Sequence, residues 1–181
     1  MTSNSVTPVS YAPVWAELLG QPEAIAQLEI AIRGKADGVY HAWLITGPPG
    51  SGRSNMAHAF AAALMCEQNG CGECKSCLMA AAGTHPDISS LVTERVQISI
   101  DEVRELVASS QFGGSLGKFR IMIIEDADRM QERSSNVLLK ALEEPPAGTI
   151  WLLCAPSEAD MLPTIRSVSY THLTLPTKRI V

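Results

Sequence analysis

The residues of this chain best equipped for chemistry fall into two neighbouring groups. Gly47-Pro48-Pro49-Gly50-Ser51-Gly52-Arg53-Ser54 has the glycine spacing and terminal hydroxyl of a phosphate-binding loop, and Cys66, Cys71, Cys74 and Cys77 follow shortly after it. Glycines at Gly47, Gly50 and Gly52 permit positive backbone angles that turn successive N–H groups inward, forming an anion-binding concavity capped by a helix N-terminus. Ser54 stands where a hydroxyl would reach magnesium. The position that usually carries lysine is Arg53, a planar guanidinium where a compact ammonium fits between terminal phosphates. Phosphate affinity is therefore expected to survive more readily than catalysis.

Glu125 and Asp126 bear on the same question. An ATPase of this kind needs an aspartate for the magnesium shell and then a glutamate to orient the attacking water. Here the order is reversed, so one carboxylate is a methylene too long and the other a methylene too short for in-line geometry. Asp126 and Asp128 equally suit a helix N-cap and a first-turn acid cluster. The candidate nucleotide-binding residues are Gly47, Pro48, Pro49, Gly50, Ser51, Gly52, Arg53, Ser54, Glu125 and Asp126. No residue is assigned a catalytic role, and ATP with magnesium is expected to be a poor fit.

Cys71, Cys74 and Cys77 are each separated by two residues, tight enough for their thiolates to converge, and Cys66 at the end of the preceding helical stretch completes a tetrahedral set. Zinc is the natural occupant. Four thiolates leave no position open for water, so the ion would be structural, pinning an insert with too little apolar surface to fold alone. An iron–sulfur cluster would use similar ligands, but no other feature points to electron transfer; four free thiols are the remaining alternative. Cys154, in an apolar run, reads as core. His41, His58 and His85 are isolated and read as packed or capping side chains.

The surrounding pattern supplies the elements these groups need. Residues 22–33 put Ile25, Leu28 and Ile32 on one helical face after a proline start. Ala42 to Thr46 is a short apolar run that reads as a buried parallel strand, and Met56, Phe60 and Leu64 recur at helical spacing beyond the loop. Residues 66–83 have no periodicity and read as a loop or small knob. Strand candidates at Ile88–Val92, Ile121–Ile124 and Ile150–Cys154 alternate with helices from about Asp101 and around Val137, Leu138 and Leu142, the last ended by Pro145 and Pro146. That alternation predicts an α/β fold, an open, mainly parallel sheet with helices on both faces.

Composition bounds the function. The chain has 181 residues, 46% of them hydrophobic, and no apolar run near membrane-spanning length. The polar N-terminus lacks the marks of a secretion signal, so the cytoplasm is the expected compartment and metal ligation is favoured over disulfides. A net charge of -5 excludes a broadly basic nucleic-acid surface; any DNA would be met through a partner's cations.

These residues resemble a known family, the bacterial clamp-loader subunits of the DNA polymerase III holoenzyme, within the P-loop AAA+ group. The resemblance runs from about Trp15 to Ser167. It is carried by Leu19-Gly20-Gln21, by His41 through Gly50, by the four cysteines, by His85-Pro86-Asp87, by Ile100 to Arg104, and most specifically by Asn136-Val137-Leu138-Leu139-Lys140-Ala141-Leu142-Glu143-Glu144-Pro145-Pro146. It implies zinc in the cysteine insert and membership of a ring with delta and gamma/tau subunits, reaching the sliding clamp and primed DNA through that complex. Arg53 and the reversed acid pair make the chain similar to the delta prime branch, which acts as a stator, rather than to the ATP-hydrolysing motors. The family's Ser-Arg-Cys element is reached at Ser167, but Val168 and Ser169 stand where its arginine and cysteine are expected, and Arg166 does not replace that arginine.

The expected organisation is a flexible segment over 1–13, an AAA+ nucleotide-binding-like domain over 14–167 with the zinc insert at 66–77, and a flexible or non-native tail over 168–181 with no place in the core. The family's lid and collar regions are expected to be absent. The rival expectations are a gamma/tau-like motor and, from another class, a stand-alone zinc-dependent nucleic-acid-binding module.

Overall fold

The computed structural model describes residues 11–35, 38–168 and 171–176. Its helices and strands alternate along the chain except where α3 follows α2: α1 (Pro22–Arg33), β1 (Ala42–Thr46), α2 (Arg53–Met65), α3 (Lys75–Ala81), β2 (Ile88–Leu91), α4 (Ile100–Ser110), β3 (Arg120–Ile124), α5 (Glu132–Glu143), β4 (Thr149–Ala155), α6 (Pro163–Val168) and β5 (Thr171–Thr174). The strands form one sheet in the order β2-β3-β4-β1-β5, and every neighbouring pair is parallel.

Parallel strands joined by helices must be covered on both faces, so β1 and β4 are buried at every position. Side chains alternate between faces along a strand. Ile45 thus joins Ile25, Leu28 and Phe60 beneath α1 and α2, while Leu44 joins Val103, Leu138 and Trp151 beneath α4 and α5. Trp43 meets Phe60 edge-on, with ring centroids 4.9 Å apart. The phosphate loop leaves the C-terminal end of β1 and the acid pair leaves that of β3, so both emerge on the same edge of the sheet, where open α/β folds bind ligands.

Several boundaries differ from the sequence reading. The cysteine knob contains α3, whose first turn is capped by the Cys74 sulfur accepting from the Cys77 N–H. Helix α4 begins at Ile100 behind a capping box, in which Ser99 Oγ accepts from the Glu102 N–H and Glu102 accepts from the Ser99 N–H. Residues 11–13 are not loose: Tyr11 and Ala12 pack against the core, and Pro13–Trp15 forms a short 3-10 turn that buries Trp15.

The tail needs the larger correction. Val168 closes α6, β5 pairs with β1, and Leu173 and Leu175 are 1% exposed. Alternating Thr-His-Leu-Thr-Leu placed one apolar face inward, so residues 171–176 do have a place in the core. Residues 1–10, 169–170 and 177–181 lie outside the described set.

Candidate nucleotide and metal sites

The phosphate loop turns between β1 and α2. Gly50 and Gly52 have φ of 80° and 86°, the left-handed region their lack of Cβ allows. Gly47 does not; there the requirement is space, because a Cβ would run into the Ser51 hydroxyl. Gln21 is 1% exposed beneath the loop and donates from Nε2 to the Ser51 carbonyl. Gln21 Oε1, Ser51 Oγ and Arg53 Nε are buried polar atoms without a partner among the described residues.

Arg53 folds back over the loop it opens. Its Nη1 donates to the Gly47 carbonyl at 2.8 Å, and its Nη2 donates to Asp126 Oδ1 at 2.7 Å. The guanidinium side chain is 13% exposed and that of Asp126 33%, so the pair is sheltered. Arg129 adds a second cation 3.5 Å from the other Asp126 oxygen. Asp126 has φ 54°, ψ 51° and makes no capping hydrogen bond, so the N-cap role read from sequence does not hold; its carboxylate turns to Arg53 instead.

Glu125 is tied separately. His58, on the second turn of α2, holds Nε2 2.8 Å from Glu125 Oε1. The His58 bond is the main reason that Glu125 sits below the usual carboxylate range; burial opposes it, and Ser54 and Arg53 add to it. Burial pushes the neighbouring Asp128 up, aided by the charge of Asp126. His58 is therefore not the isolated packed histidine of the sequence reading. Its signal was faint: only a helical register that put it, one turn after Ser54, on the side facing the end of β3.

The four cysteines converge. Their sulfurs all lie within 4.8 Å of one another, with Cys66 to Cys71 at 3.7 Å and Cys66 to Cys74 at 3.8 Å. A tetrahedron with metal–sulfur bonds of about 2.3 Å has edges of about 3.8 Å, so the set fits a four-thiolate metal site. Backbone N–H groups of Cys71, Cys74 and Cys77 point at the sulfurs of Cys66, Cys71 and Cys74 respectively. Burial alone would raise the Cys66 thiol, but N–H donors from Cys71, Gly70 and Gln68 outweigh it and bring it to about 6, while burial and the neighbouring sulfurs push the Cys77 thiol up. Cys154 is fully buried in β4, and burial pushes its thiol up to about 12, as suits a core residue.

A third cluster escaped the sequence reading as a unit. Asp87 is 0% exposed and accepts from the Ser115 N–H at 2.6 Å, the Ser115 hydroxyl at 2.8 Å, the Leu116 N–H at 2.7 Å and the Gly117 N–H at 3.0 Å. Burial works to raise this carboxyl, and these donors outweigh it, leaving it below its ordinary value. Beside it, the His85 Nδ1 accepts from the Asp87 N–H, while the Ser76 hydroxyl donates to the Met65 carbonyl. The Ser76 hydrogen being committed, the 3.0 Å contact of His85 Nε2 with Ser76 is a donation from the ring, which fixes the tautomer. His85 is thus a packed histidine, as expected from sequence, and it ties the cysteine knob to the loop around Asp87.

Strand order, phosphate loop and acid pair together define a P-loop AAA+ type fold with a small cysteine insert. A DNA polymerase III gamma subunit-related protein from Thermotoga maritima has the same fold, with a TM-score of 0.63 at 22% identity over 84% of this chain and 47% of that one. In sequence, the chain is 41% identical over 133 residues to DNA polymerase III subunit delta' of Pseudomonas aeruginosa, covering 70% of this chain and 40% of the relative. It is 32% identical over 168 residues to DNA polymerase III subunit gamma/tau of Mycobacterium tuberculosis, covering 90% and 29%. Residues 20–176 match the family described as DNA polymerase III, delta subunit, and the chain belongs to that family. It spans 40% to 43% of the length of the Pseudomonas and Escherichia coli delta' relatives. No helix among the described residues is long and apolar enough to cross a membrane.

Proposed function

We propose that this chain is the nucleotide-binding-type domain of a delta prime clamp-loader subunit. In this reading it joins delta and gamma/tau subunits in the cytoplasm, in the assembly that sets the sliding clamp on primed DNA. It works as a stator and is neither the polymerase nor an efficient ATPase. One observation carries the reading: both acids an ATPase would use are already committed, Asp126 to Arg53 and Glu125 to His58. Water activation needs a carboxylate free to orient the attacking molecule, and magnesium needs one free to bind its shell. The residue that follows Ser167 supports the same restraint, since Val168 stands where the family carries a finger arginine.

The cysteine set takes zinc in a structural role, and the phosphate loop from Gly47 to Ser54 is the nucleotide-facing surface. Stoichiometric zinc by elemental analysis, lost together with folded structure in a Cys71→Ser/Cys74→Ser variant, is the expected result for the insert. We further propose that the sequence after Ser167 departs from the native continuation, although residues 171–176 pack; comparison of the reading frame in the source gene checks this.

The deciding assay is ATP turnover by the zinc-loaded chain, alongside co-purification with delta and gamma/tau subunits. No turnover together with complex formation is the expected outcome. Turnover that Glu125→Gln or Asp126→Asn abolishes would replace the stator with a motor, a reading that the similarity to gamma/tau keeps in play.

A further inference from the structure

The fold family implies magnesium beside the phosphate loop, and the side chains here fit phosphate but not the metal. For an anion the loop offers the N-terminus of α2 and the guanidinium of Arg53, whose Nε is a buried donor without an acceptor among the described residues, while the Gly47 and Ser51 N–H groups are bonded to the Ala155 and Pro48 carbonyls. For a divalent cation, the hydroxyl and carboxylate expected to hold its shell are Ser54 and Glu125. Of these, Glu125 is already held by His58, whose Nε2 lies 2.8 Å from its Oε1. Asp126 is no substitute, because both of its oxygens face guanidinium groups, Arg53 at 2.7 Å and Arg129 at 3.5 Å.

We propose that His58 is a specificity-determining residue that keeps magnesium out of this phosphate loop, so that a nucleoside diphosphate is bound there without a divalent cation. This deepens the stator reading and rests on it, since a loop that takes phosphate without metal retains a shape that neighbours can recognise while lacking the Lewis acid. The imidazole does two things at once. It takes up a lone pair of Glu125 Oε1, and it places an N–H hydrogen against the carboxylate that a cation would otherwise neutralise. His58 is reached from solvent, its side chain being 38% exposed, and it lines a cleft with Glu17, Asn55 and Cys77. Replacing it therefore disturbs little of the core.

The test is calorimetric titration of the full, zinc-loaded chain with ADP, in buffer freed of divalent ions by resin and again with magnesium added. For the unaltered chain added magnesium is expected to give no gain in affinity, and an apparent loss to the extent that the ion takes up free ADP. In His58→Ala, which releases Glu125, added magnesium is expected to strengthen ADP binding about tenfold, the scale of one freed charged contact. His58→Gln keeps an N–H donor within reach of Glu125 and is expected to abolish the magnesium gain again, which separates loss of that hydrogen bond from loss of bulk. A comparable magnesium gain in the unaltered chain, no gain in His58→Ala, or no ADP binding by either overturns the proposal. None of these results touches the stator reading, which fails instead on ATP turnover or on failure to join the complex.

Discussion

Two turns at opposite edges of one sheet are each built to hold an anion, and they differ in where the anion comes from. The loop at 113–117 wraps a carboxylate of its own chain: Asp87 receives four donors and is fully buried. The loop at 47–54 has carboxylates within reach, yet Glu125 and Asp126 are drawn aside by His58 and Arg53. A cradle filled from within is architecture, since its charge is satisfied whenever the chain is folded. The second cradle, its neighbouring acids held off by side chains, stays suited to a phosphate from outside. The same backbone device therefore serves stability at one edge and, in the proposed reading, phosphate recognition at the other.

The contrast can be broken by mutation. Asp87→Ala strands three loop N–H groups and the Arg120 guanidinium, 3.8 Å away, and is expected to cost about 3–5 kcal/mol in urea or thermal unfolding. Arg53→Ala leaves Asp126 able to take up water and is expected to cost about 1.5–2 kcal/mol. Equal losses at the two sites would erase the distinction.

Acid sharpens the comparison further. The folded pKa of Asp87 is depressed, so its stabilisation is fully present above the unfolded carboxylate value of about 3.9 and disappears as pH falls through the folded one. The stability gap between the unaltered chain and Asp87→Asn is accordingly expected to be constant near neutrality and to close in strong acid, measured by unfolding across pH. The smallest effect belongs to a terminus with no part in either cradle: Ser99→Ala is expected to cost about 1 kcal/mol through loss of the α4 cap.

What could be read from the sequence was what local pattern controls. The strand–loop–helix order around Gly47 to Ser54, the apolar run Ile121 to Ile124 and the convergence of four cysteines all follow from spacing within a few residues. Ser99-Ile100-Asp101-Glu102 also carried a readable capping signal that placed the start of α4 one residue earlier than its apolar face suggests. Other features depended on long-range partners. His58 meets a glutamate 67 positions away, and Asp87 meets a loop 28 to 30 positions on; no periodicity announces either. Helix α3 was missed because its seven residues are too few for a face to repeat, and a sulfur serves as its cap. Strand β5 was missed because its pattern is short and partly polar, and only pairing with β1 gives it an inner face.

The left-handed backbone at Asp126 limits which side chains can stand there. Aspartate tolerates φ 54° better than most residues because its short side chain can bond locally. Exchanging the two acids would place a longer glutamate at that left-handed position, at about 1 kcal/mol, while also undoing the clasp on Arg53. The order Glu125-Asp126 is thus held in place twice over, by the backbone at 126 and by the guanidinium that faces it.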